Sequence, residues 1–159
     1  MVALAELFRA PSRRTVMQVG MLAGLGPLLP ACSEVEAKPR VIKLGRDTCE
    51  FCHMVFADRR FAAEVWDGDT NRARLYDDFG CAVLAAAEME VLEREAVRFW
   101  VSDETQPDTW LDARRARFRD NVVTPMGYGH SAGSGSGYRL DFAAASQAIR
   151  DKAACEHKP

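Results

Sequence analysis

From Val16 to Leu29 the chain carries no charged residue, and two arginines, Arg13 and Arg14, stand just before that stretch. At about 14 residues the run falls short of the roughly 20 a spanning helix needs. Gly20, Gly24, Gly26 and Pro27 further weaken a helix there. A basic flank followed by a short apolar run reads as an export signal, so residues 1–31 are set apart from the fold. The folded body must then be built from the remainder, in a compartment where thiols tend to oxidise.

The stretch closes on Leu29-Pro30-Ala31-Cys32, similar to a bacterial lipobox, whose cysteine becomes the lipidated first residue. Lipid at Cys32 gives a periplasmic protein anchored to a membrane rather than one that spans it. The alternative is a soluble exported protein cut near Cys32. The twin arginines resemble the signal of the pathway that exports folded proteins. Residues 32–40 are charged and short of large apolar side chains, which reads as a tether. A net charge of −2 over 159 residues gives no bulk attraction for nucleic acid. The 48 % apolar and 28 % charged fractions are those of a globular chain.

Outside the cytosol, free thiols need a metal, a reductant or a redox task. Beyond Cys32 the cysteines are Cys49, Cys52, Cys81 and Cys155, enough for two disulfides in any of three connectivities. Cys49-Glu50-Phe51-Cys52 is a C-x-x-C, a spacing shared by redox sites, zinc half-sites and metal-transfer proteins. It continues into His53 and Met54, so two thiols, an imidazole and a thioether fall within six residues. Thiolate with thioether is the soft combination that selects cuprous ion. Zinc prefers Cys, His and carboxylate to Met, and no second C-x-x-C or H-x-x-x-H follows. A redox pair belongs at a helix N-terminus, whereas Met54-Val55-Phe56 reads as strand. A structural disulfide, a thiol–disulfide oxidoreductase using Cys49 and Cys52, and zinc stay open beside Cu(I).

The body spans 41–155. Val41–Leu44 is expected as a short strand, and Met54–Ala57 with Phe61–Trp66 as a hairpin about Asp58-Arg59-Arg60. Asp67-Gly68-Asp69 marks a turn before a strand at Arg72–Tyr76. Asp77 or Asp78 can cap an alanine-rich helix over Cys81–Glu95, a role that fits them better than soft-metal binding. Cys81 falls in that helix's first turn, where packing, a disulfide and ligation all remain open. Met89 on the same helix reads as core packing. Val97–Val101, Trp110–Ala113, Ala116–Arg119 and Tyr138–Leu140 follow as strands, with Ser102–Thr109 as a loop. Arg114, Arg115, Arg117 and Arg119 make a basic run that reads as a solvated strand face, with a docking surface for an acidic partner as the alternative. Ser131–Gly137 reads as a mobile or tightly turned glycine-rich loop, and Phe142–Ala153 as a final helix. The order suggests an α+β fold of small mixed sheets and two packed helices, in two ββαβ-like halves at about 41–96 and 97–155.

Cys49-Glu50-Phe51-Cys52-His53-Met54, Tyr76-Asp77-Asp78-Phe79-Gly80-Cys81, Trp110-Leu111-Asp112-Ala113 and Thr124-Pro125-Met126-Gly127, in that order, resemble the NosL family of copper-binding accessory lipoproteins. The resemblance covers residues 41–130 and extends to the leader. It implies a non-enzymatic Cu(I) carrier that helps supply copper to periplasmic nitrous oxide reductase, together with an ABC-type membrane complex. Carried across residue by residue, it makes Cys52, Met54 and Met126 the copper ligands; Cys49, His53 and His130 stand beside them as additional candidates on the chemistry of their side chains. His53 stands where the family commonly has glycine. Cys52 and Met54, two apart on an expected strand, would share a face.

Overall fold

The computed structural model describes residues 37–156. The expectations for the leader at 1–31, for Cys32 and for most of the tether lie outside these residues. Among the described residues no helix is long and apolar enough to cross a membrane.

The fold is α+β, a mixed sheet of six strands with two helices. β1 (Ala63–Asp67) and β2 (Arg72–Tyr76) form an antiparallel hairpin across the expected turn, with Ala63 opposite Tyr76. The other edge of β1 pairs antiparallel with β3 (Val97–Asp103). β3 turns back at once into β4 (Gln106–Asp112), so Ser102–Thr109 is largely strand rather than loop. Asp103 makes the reversal possible: its Oδ1 accepts from the Thr105 N–H at 2.8 Å and from the Thr105 hydroxyl at 2.7 Å, satisfying turn groups that the ladder cannot reach. β5 (Arg117–Arg119) pairs antiparallel with β6 (Ser131–Gly133), and β6 joins β3 in parallel through Asp103 and Ala132. One sheet thus runs across the expected boundary at 96/97 in place of two half-sheets.

α1 (Phe79–Glu88) is shorter than its alanine-rich sequence predicts. Asp78 caps its start from an extended backbone, accepting from Gly80 N–H. The helix stops because Glu90 turns left-handed at φ 56°. The Glu90 N–H then reaches Ala87 O and the Val91 N–H reaches Ala86 O, the paired bonds of a Schellman ending. α2 (Phe142–Glu156) outruns its expected end at Ala153, which puts Cys155 on its last turn. Four phenylalanines bind helices to sheet. Phe79 of α1 stacks on Phe118 of β5 with centroids 4.5 Å apart, and Phe142 of α2 meets Phe99 of β3 edge-on at 5.3 Å. Such offset and edge contacts add to the gain from burying the rings. Met89 packs against this core, as expected.

Three expected strands take other forms. Val41–Leu44 is irregular, anchored by buried Ile42. Val55 bridges to Thr48 instead of entering a hairpin with β1. Within Tyr138–Leu140 only Leu140 pairs, with Phe118. In the opposite direction, Ser131-Ala132-Gly133, read as loop, is fully buried strand.

Candidate metal centre

The Cys49–Cys52 segment is a hairpin tip, not a strand. Thr48 and Val55 bridge antiparallel, and inside that bridge the Cys49 N–H donates to Met54 O at 2.9 Å. The His53 N–H reaches back to Cys49 O at 3.0 Å, a single uncontinued helical turn. Closing the tip requires a left-handed residue, and His53 supplies it at φ 63°. The alternation expected for Cys52 and Met54 therefore does not apply. The tip folds the Cys52 N–H to 3.5 Å from Cys49 Sγ, a donor aimed at sulfur. The hairpin docks on β2 through Glu50, whose N–H donates to Leu75 O at 2.9 Å and whose carboxylate accepts from Arg72 at 3.0 Å.

Docking there sets the cysteines beside the junction between β2 and α1. Asp77 and Asp78 fill that junction, and Cys81 follows in the first helical turn. The ligand atoms of Cys49, Cys52, Asp77 and Cys81 all lie within 4.8 Å of one another. In a tetrahedral thiolate site with metal–sulfur bonds of about 2.3 Å, donors sit roughly 3.8 Å apart. A small contraction therefore suffices for these four residues to hold a metal ion. Cys49, Cys81 and Asp77 are buried, whereas Cys52 is only part-buried. The centre is walled on the protein side and reached through Cys52.

All four described cysteines are free thiols, so no disulfide cross-links the described residues. The redox alternative lacks its expected geometry, since the C-x-x-C caps a hairpin and no helix begins there. The Cys81 thiol, donating to Cys49, draws the Cys49 pKa far below its ordinary value, with the Cys52 N–H assisting. That same bond, together with burial, drives Cys81 upward. Burial raises Cys52 to about 12, and its thiol donates to Asp77 Oδ1 at 3.3 Å. Asp77 is lifted to about 6, first by burial and then by its bond and charge contact with Cys49. A metal entering here displaces protons from thiols that already face one another.

A third stretch reaches the same junction. Thr124-Pro125-Met126-Gly127 is a β-turn closed by the Gly127 N–H on Thr124 O at 3.0 Å, with proline at its favoured second position. The loop's base is tied by the Val122 N–H on Gly129 O at 3.2 Å. Buried Asp78 grips the turn: Oδ2 accepts from the Thr124 hydroxyl at 2.6 Å and from the Met126 N–H at 3.0 Å. Burial raises the pKa of Asp78, against the pull of the Thr124, Gly80 and Met126 bonds. Gly80 lies under Tyr128 so closely that a Cβ there would stand 2.2 Å from the ring. Lys152 of α2 donates to Gly127 O.

The expected ligands are thus distributed unevenly. Cys49 and Cys52 belong to the four-donor cluster. Met54 and Met126 are exposed, at 50 % and 36 %. Met54 lies on the hairpin that carries the thiols, and Met126 on the turn held by Asp78. His53 is exposed at the hairpin tip. His130 is buried outside the cluster, its Nδ1 2.9 Å from Tyr128 O. Two donors were not expected: Asp77, read as a cap, and Cys81, left undecided. Capping falls to Asp78 alone, which frees Asp77 to face the sulfurs. The signal for both was a cysteine one helical turn beyond an acidic pair, since a cap at Asp78 places Cys81 on the turn facing back toward Asp77. Compared with known proteins, the chain matches no family model, no curated protein and no solved structure.

Proposed function

We propose that this chain carries Cu(I), held by the thiols of Cys49, Cys52 and Cys81 with thioether from Met54 and Met126, and hands it to a copper enzyme under assembly. The observation that supports this reading most is the meeting of three free thiols from two separate stretches of chain, with a methionine turn tied to the same junction. Soft donors suit a univalent soft ion. A carrier must withhold copper from the medium yet yield it to a partner, and the gradient from buried Cys49 and Cys81 to part-buried Cys52 suits stepwise ligand exchange. The resemblance to NosL makes nitrous oxide reductase or its ABC-type complex the proposed recipient, and export with lipid at Cys32 the proposed setting. The role is carriage, not catalysis.

Anaerobic titration with Cu(I) against a chromogenic competitor tests the reading. Cys52→Ala and Met54→Ala are each expected to weaken binding by about tenfold, or ~1.4 kcal/mol, or more. Unchanged affinity in both variants overturns it. One observation favours a second metal: Asp77 completes a Cys3Asp set that also suits tetrahedral Zn(II). Asp77→Asn separates the two, because Cu(I) binding should survive that change whereas Zn(II) binding should fall.

A further inference from the structure

Asp78 divides its two carboxylate oxygens between different parts of the fold. Oδ1 accepts from the Gly80 N–H at 2.8 Å and caps α1. Oδ2 does nothing for the helix; it accepts from the Thr124 hydroxyl and the Met126 N–H, 46 and 48 residues away. A cap needs only one acceptor, and burying a second carboxylate oxygen is costly unless it is bonded. The side chain is fully buried, at 0 % exposure. Thr124 extends the grip, since its hydroxyl oxygen also accepts from the Gly129 N–H at 3.2 Å. The contact of Gly80 with Tyr128 holds the same loop against the same helical turn.

We propose that Asp78 is a positioning residue: through Oδ2 it locks the Thr124–Gly129 turn to the start of α1, so that the Met126 thioether is presented to a metal held by Cys52 and its neighbours. This rests on the carrier reading, and in particular on Met126 as a ligand. The loop's own bonds, Gly127 N–H to Thr124 O and Val122 N–H to Gly129 O, shape the turn. The Thr124 hydroxyl and the Met126 N–H are the loop's hydrogen bonds to Asp78, beside the contact of Tyr128 with Gly80.

Asp78→Asn separates the two tasks. Asparagine caps helices as well as aspartate does, so Gly80 keeps its acceptor. The amide nitrogen that replaces Oδ2 cannot accept from the Met126 N–H. Asp78→Asn, Met126→Ala and the double variant are compared by anaerobic Cu(I) competition, by the sulfur count at copper from X-ray absorption, and by thermal melting of the metal-free protein. In Asp78→Asn the expectation is a protein that still melts cooperatively with a midpoint lower by about 5 °C, affinity lower by about tenfold or more, and one fewer sulfur at copper. Met126→Ala should behave alike toward copper, and the double variant should lose no more affinity than either single one. Parent-like affinity and sulfur count in Asp78→Asn overturn the proposal, as do additive losses in the double variant. Unchanged binding in Met126→Ala also overturns it but leaves the thiol-based carrier standing; the carrier reading falls only if Cys52→Ala and Met54→Ala bind copper normally. If Asp78→Asn does not fold, Thr124→Val replaces it. That change removes the hydroxyl but spares the cap, with the same two outcomes.

Discussion

His53 is held left-handed because the hairpin tip has to close between Cys49 and Met54, a geometry that costs a residue with a Cβ about 1–2 kcal/mol. His53→Gly removes the strain but gives back part of the gain as unfolded-chain entropy. It is expected to raise stability to urea by about 0.5–1 kcal/mol and to leave Cu(I) affinity unchanged; a loss of affinity would make the imidazole a ligand. Glu64 on β1 presents the opposite problem. It is fully buried, Oε2 accepts from the Arg40 N–H at 2.9 Å, and Oε1 has no partner. Burial raises its pKa above the ordinary 4.5. Well below 4.5 the folded and unfolded chains both hold the proton, and the side chain carries no penalty of ionisation. As pH climbs through the folded value the carboxylate ionises out of reach of water, and stability is lost. Glu64→Gln should therefore be more stable than the parent at neutral pH and should decline less as pH rises above 4.5. Parallel stability curves for the two proteins would show that Glu64 bears no such penalty.

Among the elements, β6 depends on having no side chain at Gly133. A Cβ there would lie 2.6 Å from the Tyr138 ring, and the Tyr138 hydroxyl donates to Glu104 Oε2, which also accepts from Ser131 and Arg119. Gly133→Ala is expected to push the tyrosine off Glu104 and cost about 1–3 kcal/mol by urea unfolding. Those contacts also explain why β6 was hidden in the sequence. Ser131-Ala132-Gly133 has no β-branched or aromatic residue, and its strand state comes from pairing with β3 and β5. What local chemistry decides was legible: the Asp67-Gly68-Asp69 turn, the strand after it and the capped alanine-rich helix. The end of α1 was not, because the left-handed Glu90 carries no glycine signal. Of the site, Cys49 and Cys52 could be read from their spacing. Cys81 and Asp77 join them only once Glu50 docks on Leu75, a pairing between distant stretches that no local pattern encodes.

Across the whole molecule, a metal held at Cys49, Cys52, Asp77 and Cys81 would fasten the hairpin of Thr48–Val55 to the β2–α1 junction. Binding to the folded state alone adds about 4 kcal/mol at a free metal level a thousandfold above Kd. For a domain of this size that is a rise in Tm on the order of 10 °C. Thermal melting with buffered Cu(I) under reductant should show that shift, and Cys49→Ser with Cys81→Ser should abolish it; a Tm insensitive to copper would mean that no such fastening occurs. The methionine turn meets the sheet on different terms. β5 and β6 end on the rung Arg119 to Ser131, and the chain between them is drawn shut by the main chain of Val122 and Gly129. Neither tie consults a side chain at the tip. Exposed residues there such as Val123 and Pro125 can be exchanged without slipping a strand, so around the fixed Thr124 the tip is a replaceable cassette in which, on the carrier reading, a taste for one metal over another could be rewritten while the framework beneath stays the same.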